Sequence, residues 1–196
     1  MRYTTDHRQK TRERILRETA KEVRAKGPEG VAVAGLMARA GLTHGGFYAH
    51  FPSKDALIAE AVDTMFADVR GRAEALDTCD DPKEALRDYL TFYLSEAHRD
   101  GRSRGCPLPA LASDMARAPG AAGQRFAEGI STLAGRLEGL LARIGIASPV
   151  AEANALLAQL VGAVALARAV TDPVQSGSIL RDTRDCITAR YGLEPA

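Results

Sequence analysis

A chain of 196 residues has room for one ordinary domain, or for a small one fused to a larger, and is too short for an elaborate multidomain machine. Its 45% hydrophobic and 26% charged residues place it among globular proteins and exclude wholesale disorder or a fibrous repeat. The formal net charge of +1 hides a segregation. Residues 1–54 hold 11 Lys and Arg against 5 Asp and Glu, a net of +6, while residues 55–196 hold 15 against 20, a net of −5.

In chain order, almost every segment has helical periodicity, and the predicted fold class is all-α with about nine helices in total. A first helix is expected from Asp6 to Lys26, with Ile15, Thr19, Ala20 and Val23 on its inner stripe and Arg8, Lys10, Arg12, Arg14, Arg17 and Lys21 on the other face. Gly27-Pro28 stops it. A short helix over Ala34–Ala40, a turn at Gly41-Leu42-Thr43 and a second short helix over His44–His50 have helix-turn-helix spacing. Gly41 suits a helix end that needs positive φ, and the Thr43 hydroxyl suits the N-cap of the next helix. Pro52-Ser53 interrupts, and Ser53 opens a long helix to about Leu76.

Asp81-Pro82-Lys83-Glu84 reads as an N-cap with proline at N1 and an acid at N3. It opens a helix rich in aromatics that ends near the basic loop Arg99–Gly105. Short helix Ala110–Ala116, long helix Ala121–Ile144, apolar helix Pro149–Thr171 closed by Asp172-Pro173, and final helix Ser178–Tyr191 complete the chain. These elements predict a helix-turn-helix domain over residues 1–53 and a larger helical domain over residues 54–196.

Cys79, Cys106 and Cys186 are far apart with no CxxC pair, which speaks against a zinc module or disulfide framework and fits a reducing cytoplasm. MRYTTDHRQK lacks the apolar stretch of a signal peptide. The most apolar run, Ala155–Val170, contains Gln159 and Arg168 and falls short of the roughly 20 residues of a membrane span, so no membrane partner is expected. His44 and His50 have no Cys or carboxylate at ligand spacing, and neither a metal nor a cofactor is predicted. HExxH, GxSxG, the P-loop and GxGxxG are all missing, which disfavours an enzyme.

The informative segment is GLTHGGFYAHFPSKDAL, Gly41 to Leu57. A basic N-terminal quarter matches the electrostatic footprint of a module that meets phosphate. Thr43 at a helix start leaves N–H groups pointing outward for an anion. His44 stands where a side chain reaches base edges, and Gly45 and Gly46 let the backbone approach DNA closely. Phe47 and Phe51, four apart, are core, as is Leu42. Tyr48 and His50 are then left for phosphates, and Lys54 adds a charge. Tyr48 also admits a reading as a partly buried aromatic with a satisfied hydroxyl.

With its glycine turn at Gly41, capping Thr43, Tyr48, the pair His50-Phe51 and Lys54, the segment over about residues 6–60 resembles the DNA-binding head of TetR/AcrR-family transcriptional regulators. One stretch departs from the pattern. Many family members open the helix before the turn with a phosphate-binding Thr, and here the residues are Val31-Ala32-Val33-Ala34-Gly35. More of the phosphate binding then falls on the first helix and on an arm at Arg2-Tyr3. The resemblance implies a homodimeric repressor on a near-palindromic double-stranded operator, its two short helices one DNA turn apart and released by a small-molecule effector.

Periodicity puts Leu156, Leu160, Val161 and Val164 of the apolar helix, with Ile179, Leu180, Thr183 and Ile187 of the last, at a dimer interface, the alternative being an ordinary core helix. Met65, Phe66, Tyr89, Phe92, Tyr93, Met115 and Phe126 are the residues expected to line an effector pocket, or else to be plain core. Cys106 before Pro107 reads as an oxidant or electrophile sensor if Arg102 and Arg104 stabilise its thiolate, and otherwise as a semi-buried small residue. The competing function is a helical protein-binding adaptor without DNA activity.

Overall fold

The computed structural model describes residues 2–118 and 120–194, except the side chains of residues 2–6 and 44. The described residues form nine α-helices and one 3-10 segment, with no strand: α1 Arg2–Lys26, α2 Val33–Arg39, the 3-10 segment His44–Ala49, α3 Lys54–Thr78, α4 Pro82–Tyr93, α5 Glu96–Asp100, α6 Leu108–Met115, α7 Ala121–Ile144, α8 Pro149–Ala169 and α9 Pro173–Tyr191.

Local chemistry accounts for most boundaries. The Ser53 hydroxyl accepts the Ala56 N–H at 3.0 Å and starts α3. Asp81 accepts the Lys83 and Glu84 N–H groups at 2.8 and 3.3 Å and starts α4. Asp172-Pro173 does not close α8 as expected but starts α9, the Asp172 carboxylate taking the Val174 N–H at 3.0 Å. This is the same Asp cap and N1 proline as at Asp81-Pro82. The expected single helix running towards Arg99 is divided at Ser95, whose hydroxyl donates to the Phe92 carbonyl and accepts the His98 N–H, so α5 begins there. At the chain's start, the expected arm at Arg2-Tyr3 is the first turn of α1; its side chains lie outside the described residues.

Two apolar cores lie along α1 and α3. The smaller is made by Ile15, Leu36, Met37, Ala40, Phe47, Phe51 and Leu57. The larger begins at Ala20 and Val23 of α1 and at Ile58 of α3 and extends through α4, α6, α7, α8 and α9. Helix α3 packs along α7, α7 along α8, and α8 along α9. The α3–α7 crossing is close because Gly129 has no side chain: a Cβ there would fall 2.3 Å from the Phe66 ring. The 21-residue α8, with mean hydropathy 1.6 over 18 residues, is long and apolar enough to cross a membrane by length and composition, contrary to the sequence estimate. In this fold it is a core helix, with Leu156, Leu160 and Val164 fully buried.

Arginines tie the elements together. Arg24 of α1 is buried and donates to the Met65 carbonyl and to Asp68 of α3, each at 3.0 Å, and to the Ser103 carbonyl at 3.4 Å. Arg168, in the last turn of α8, donates to the carbonyls of His98 and Arg99 at the end of α5. Arg102 returns a bond to the Arg168 carbonyl at 2.8 Å.

Candidate nucleic-acid interface and body cavity

The turn between α2 and the 3-10 segment is made by Gly41, at φ +69°. The Leu42 N–H reaches the Met37 carbonyl at 2.9 Å and the Gly41 N–H that of Ala38 at 3.0 Å, closing the end of α2. At the start of α2, Ala32 stands at the N-cap and supplies no side-chain bond. The expected phosphate-binding hydroxyl is therefore missing here, as the sequence indicated.

The expected helix over His44–His50 is a 3-10 segment. Its i→i+3 bonds run from the Gly46 N–H to the Thr43 carbonyl at 3.0 Å and from the His50 N–H to the Phe47 carbonyl at 2.9 Å. Gly45 and Gly46 each weaken an α-helix by about 0.8–1.0 kcal/mol, and a stretch this short closes more turns with i→i+3 bonds. Thr43 has the extended backbone of an N-cap, but its hydroxyl makes no capping bond. That part of the expectation is corrected: the side chain is exposed and uncommitted.

Packing fixes which way the segment faces. Phe47 and Phe51 are buried and stacked, their ring centroids 5.8 Å apart, in the small core with Ile15, Leu36, Met37 and Leu57. Tyr48 is turned out, 68% exposed, with its ring edge-on to Phe47. Gly45 is exposed, and nothing lies within 4 Å of the space a side chain would take. Gly46 is half-buried, near the Thr43 hydroxyl and the Met37 side chain. His44 opens the segment, but its side chain lies outside the described residues.

His50 is less available than expected. Its Nδ1 is buried without a partner, and desolvation, with the positive charges of Arg8 and Arg12, pushes its pKa down. The imidazole is thus neutral at physiological pH, which leaves only the other ring nitrogen for a neutral contact. Arg12 does not belong to the outward basic face. It lies 4.8 Å over the Phe51 ring and donates to Glu60 of α3 at 2.6 Å, bracing α1 against α3. Arg8 donates to the Ala49 carbonyl, the end of the 3-10 segment. Arg14 and Arg17 stay exposed on α1. Lys54 is half-buried in the first turn of α3 and borders a cleft with Glu29, Asp114 and Arg117.

In the body, a cavity of about 140 Å³ opens between α3, α4 and α7. Of the residues expected there, Phe66, Tyr89, Phe92 and Tyr93 line it. Met65, Met115 and Phe126 do not; they are buried in the larger core. Sequence reasoning missed the arginines Arg70, Arg72 and Arg136 and the small wall residue Gly129. A signal was present, since residues 66, 69, 70 and 73 fall on one face of α3.

Cys106 also lines the cavity, but not as an activated thiolate. It is buried, and burial pushes its thiol pKa up. The cations acting on it are Arg24 and Arg168, not Arg102 and Arg104, and burial outweighs them. The Cys106 N–H donates to His98 Nε2 at 3.0 Å, and His98 Nδ1–H donates to the Tyr93 carbonyl at 2.7 Å. These two bonds fix a neutral His98 tautomer beneath the cavity, and burial lowers its pKa. The Tyr93 hydroxyl is buried, and the weakly polar Cys106 thiol is the one hydrogen-bonding group set against it among the described residues.

The expected interface residues divide. Leu156, Leu160, Val164, Leu180 and Ile187 are buried within their own chain and cannot meet a partner. Val161, Ile179 and Thr183 are half-buried. Periodicity finds an apolar stripe but does not say which chain covers it, and here α8 packs against α7, α9 and α6 of its own chain. The outer side of α8 is slimmer: Ala151, Ala155, Ala158 and Ala169 with Leu166, 59% exposed, while Gly162 and Ala165 are half-buried between them. On α9 the exposed residues include Val174, Asp185, Cys186 and Ala189.

Residues 15–61 match the family model of bacterial regulatory proteins, tetR family. No curated protein matches the chain. Among solved structures, a TetR-family transcriptional regulator from Chloroflexus aurantiacus superimposes with a TM-score of 0.81 at 24% identity, covering 95% of this chain and 96% of that one. E. coli NemR in its reduced form gives 0.80 at 20%, covering 92% and 96%. A TetR-family regulator from Agrobacterium tumefaciens gives 0.78 at 24%, covering 91% and 97%. Residues 15–61 thus match the tetR-family model, and over more than nine tenths of its length the chain has the fold of TetR-family transcriptional regulators.

Proposed function

We propose that this protein is a homodimeric cytoplasmic repressor that binds a near-palindromic operator and is released from it by a small molecule. The observation that carries the reading is the double role of α3. Its Leu57 is part of the core beneath the 3-10 segment, and its Phe66 is part of the cavity wall. The two are about 14 Å apart along one continuous helix. A ligand that displaces Phe66 therefore acts on the element that seats the head, and a ligand with different affinity for the two arrangements shifts the balance between them.

In this reading Tyr48 and Thr43 contact phosphate, His44 meets base edges, and Gly45 and Gly46 allow close approach. His50 and Lys54 support the edges of the contact. Residues 1–53 then work as the DNA-binding domain and residues 54–196 as the ligand-binding and dimerisation domain. The slim outer face of α8, with α9 beside it, is suited to close packing against a second copy, because small residues let helices approach. No catalytic step is part of this reading.

The test is a mobility-shift titration on the DNA flanking the protein's own gene, with sedimentation to establish the oligomeric state. Dimeric, sequence-specific binding that weakens steeply with salt is expected. A folded protein that ignores duplex DNA at low salt would overturn this reading.

A further inference from the structure

We infer that the effector is a single-ring aromatic acid, its ring in the body cavity and its carboxylate at Arg72. This rests on reading the cavity as the effector site and specifies the ligand's chemistry.

Size sets the first limit. The cavity is about 140 Å³, and an apolar cavity of roughly 150 Å³ accepts one benzene. A fused polycycle or a long acyl chain would have to project through the cavity's open side. The walls set the second. Phe66, Tyr89 and Phe92 offer ring faces and edges, which favour a flat aromatic guest through offset and edge-on contacts.

Charge sets the third. The lining includes three arginines and no carboxylate. Arg136 is already engaged by Glu74 and Asp77. Arg70 and Arg72 are exposed at the rim; Arg72 has no carboxylate partner among the described residues, and its guanidinium lies 3.8 Å over the Phe92 ring. A planar cation fixed beside the ring site and free along its other edge is a receptor for a carboxylate. The fourth limit is the Tyr93 hydroxyl, buried in the wall with only the weakly polar Cys106 thiol against it. A ligand with a second polar group satisfies it and gains accordingly.

Calorimetric titration of the full-length protein, without DNA, with benzoate, 4-hydroxybenzoate, benzyl alcohol and benzylamine tests this. The acids are expected to bind at least about tenfold more tightly than benzyl alcohol, 4-hydroxybenzoate best, and benzylamine not at all. Arg72→Gln is expected to bring the acids down to the alcohol's affinity and leave the alcohol unchanged. Tyr93→Phe, which removes the hydroxyl and keeps the ring, is expected to erase the advantage of 4-hydroxybenzoate over benzoate.

Equal affinity for acid and alcohol overturns the inference, as does binding of none of the four by the folded protein. A parallel mobility shift separates the two readings. An acid that binds without releasing DNA leaves the ligand assignment standing and removes the release mechanism. DNA released by some other compound, with no acid bound, does the reverse.

Discussion

The head and the body use the same kind of helix with very different margins. Seven fully buried apolar side chains hold the 3-10 segment against α1, α2 and α3, whereas thirty-six form the core of the body. Small cores are marginal because little of their surface is removed from water. The head therefore depends on α1 and α3, each of which is also packed into the body core. In the proposed mechanism that dependence is what would let a change in the body reach the head, since the least stable unit of a structure is the one most readily moved.

The sharpest way to break the comparison is one deletion of the same kind on each side. Phe47→Ala and Phe126→Ala each remove a buried ring and should each cost about 3–5 kcal/mol. In the head that exceeds what seven side chains can absorb. Phe47→Ala is expected to show an early local melting phase in calorimetry and to lose DNA binding, while the body keeps most of its helical signal. Phe126→Ala is expected to lower the main transition instead. A single shared transition in Phe47→Ala would show that the head is not a separate unit.

The connection between the two regions comes next. Arg24→Met keeps the apolar stem and removes the bonds to Met65, Asp68 and Ser103. Chemical denaturation is expected to register about 1.5–3 kcal/mol, the range for hydrogen bonds to a charged group. A smaller effect is expected at the turn. Gly41 has φ +69° and open space where a side chain would sit, so Gly41→Ala pays only the backbone cost of about 1–2 kcal/mol. Its effect should appear mostly in the head.

Acidity gives the smallest effect. Burial lowers the pKa of His98 in the body, with Arg168 and Arg72 adding to the shift, and that of His50 in the head, with Arg8 and Arg12 adding. Below about pH 6.5 the unfolded chain takes up protons that the folded one refuses. The stability from these groups is thus complete above that pH and falls as the pH drops towards their lowered folded values. The melting temperature is expected to decline between about pH 7.5 and 5.5, and His98→Gln to flatten the decline more than His50→Gln does, because His98 is the more deeply buried of the two.

Legibility followed a different division, between local chemistry and long-range packing, in head and body alike. Helix α7 is placed end to end by Pro119-Gly120 and by the loss of periodicity after Ile144, and the turn glycine, the Phe47/Phe51 brace and the caps at Ser53 and Asp81 all follow from local chemistry. What failed was whatever needs a third dimension. Asp172-Pro173 carries the same letters whether it ends one helix or starts the next. Ser95 breaks a helix without glycine or proline, through a cap visible only once α5 has turned. Arg12 looked like surface charge and is a brace, because Glu60 lies forty-eight residues away in sequence. Leu156 and Leu160 looked like an interface and are core, because periodicity cannot name the chain that covers a stripe.

The most direct measurement is selection of bound duplexes from a random library by the full-length protein. The account predicts enrichment of a near-palindrome whose half-sites are about 10–10.5 base pairs, or a multiple of that, centre to centre, with enrichment lost in Tyr48→Ala. Recovery of unrelated sequences, or of lone half-sites without a symmetric mate, would contradict it.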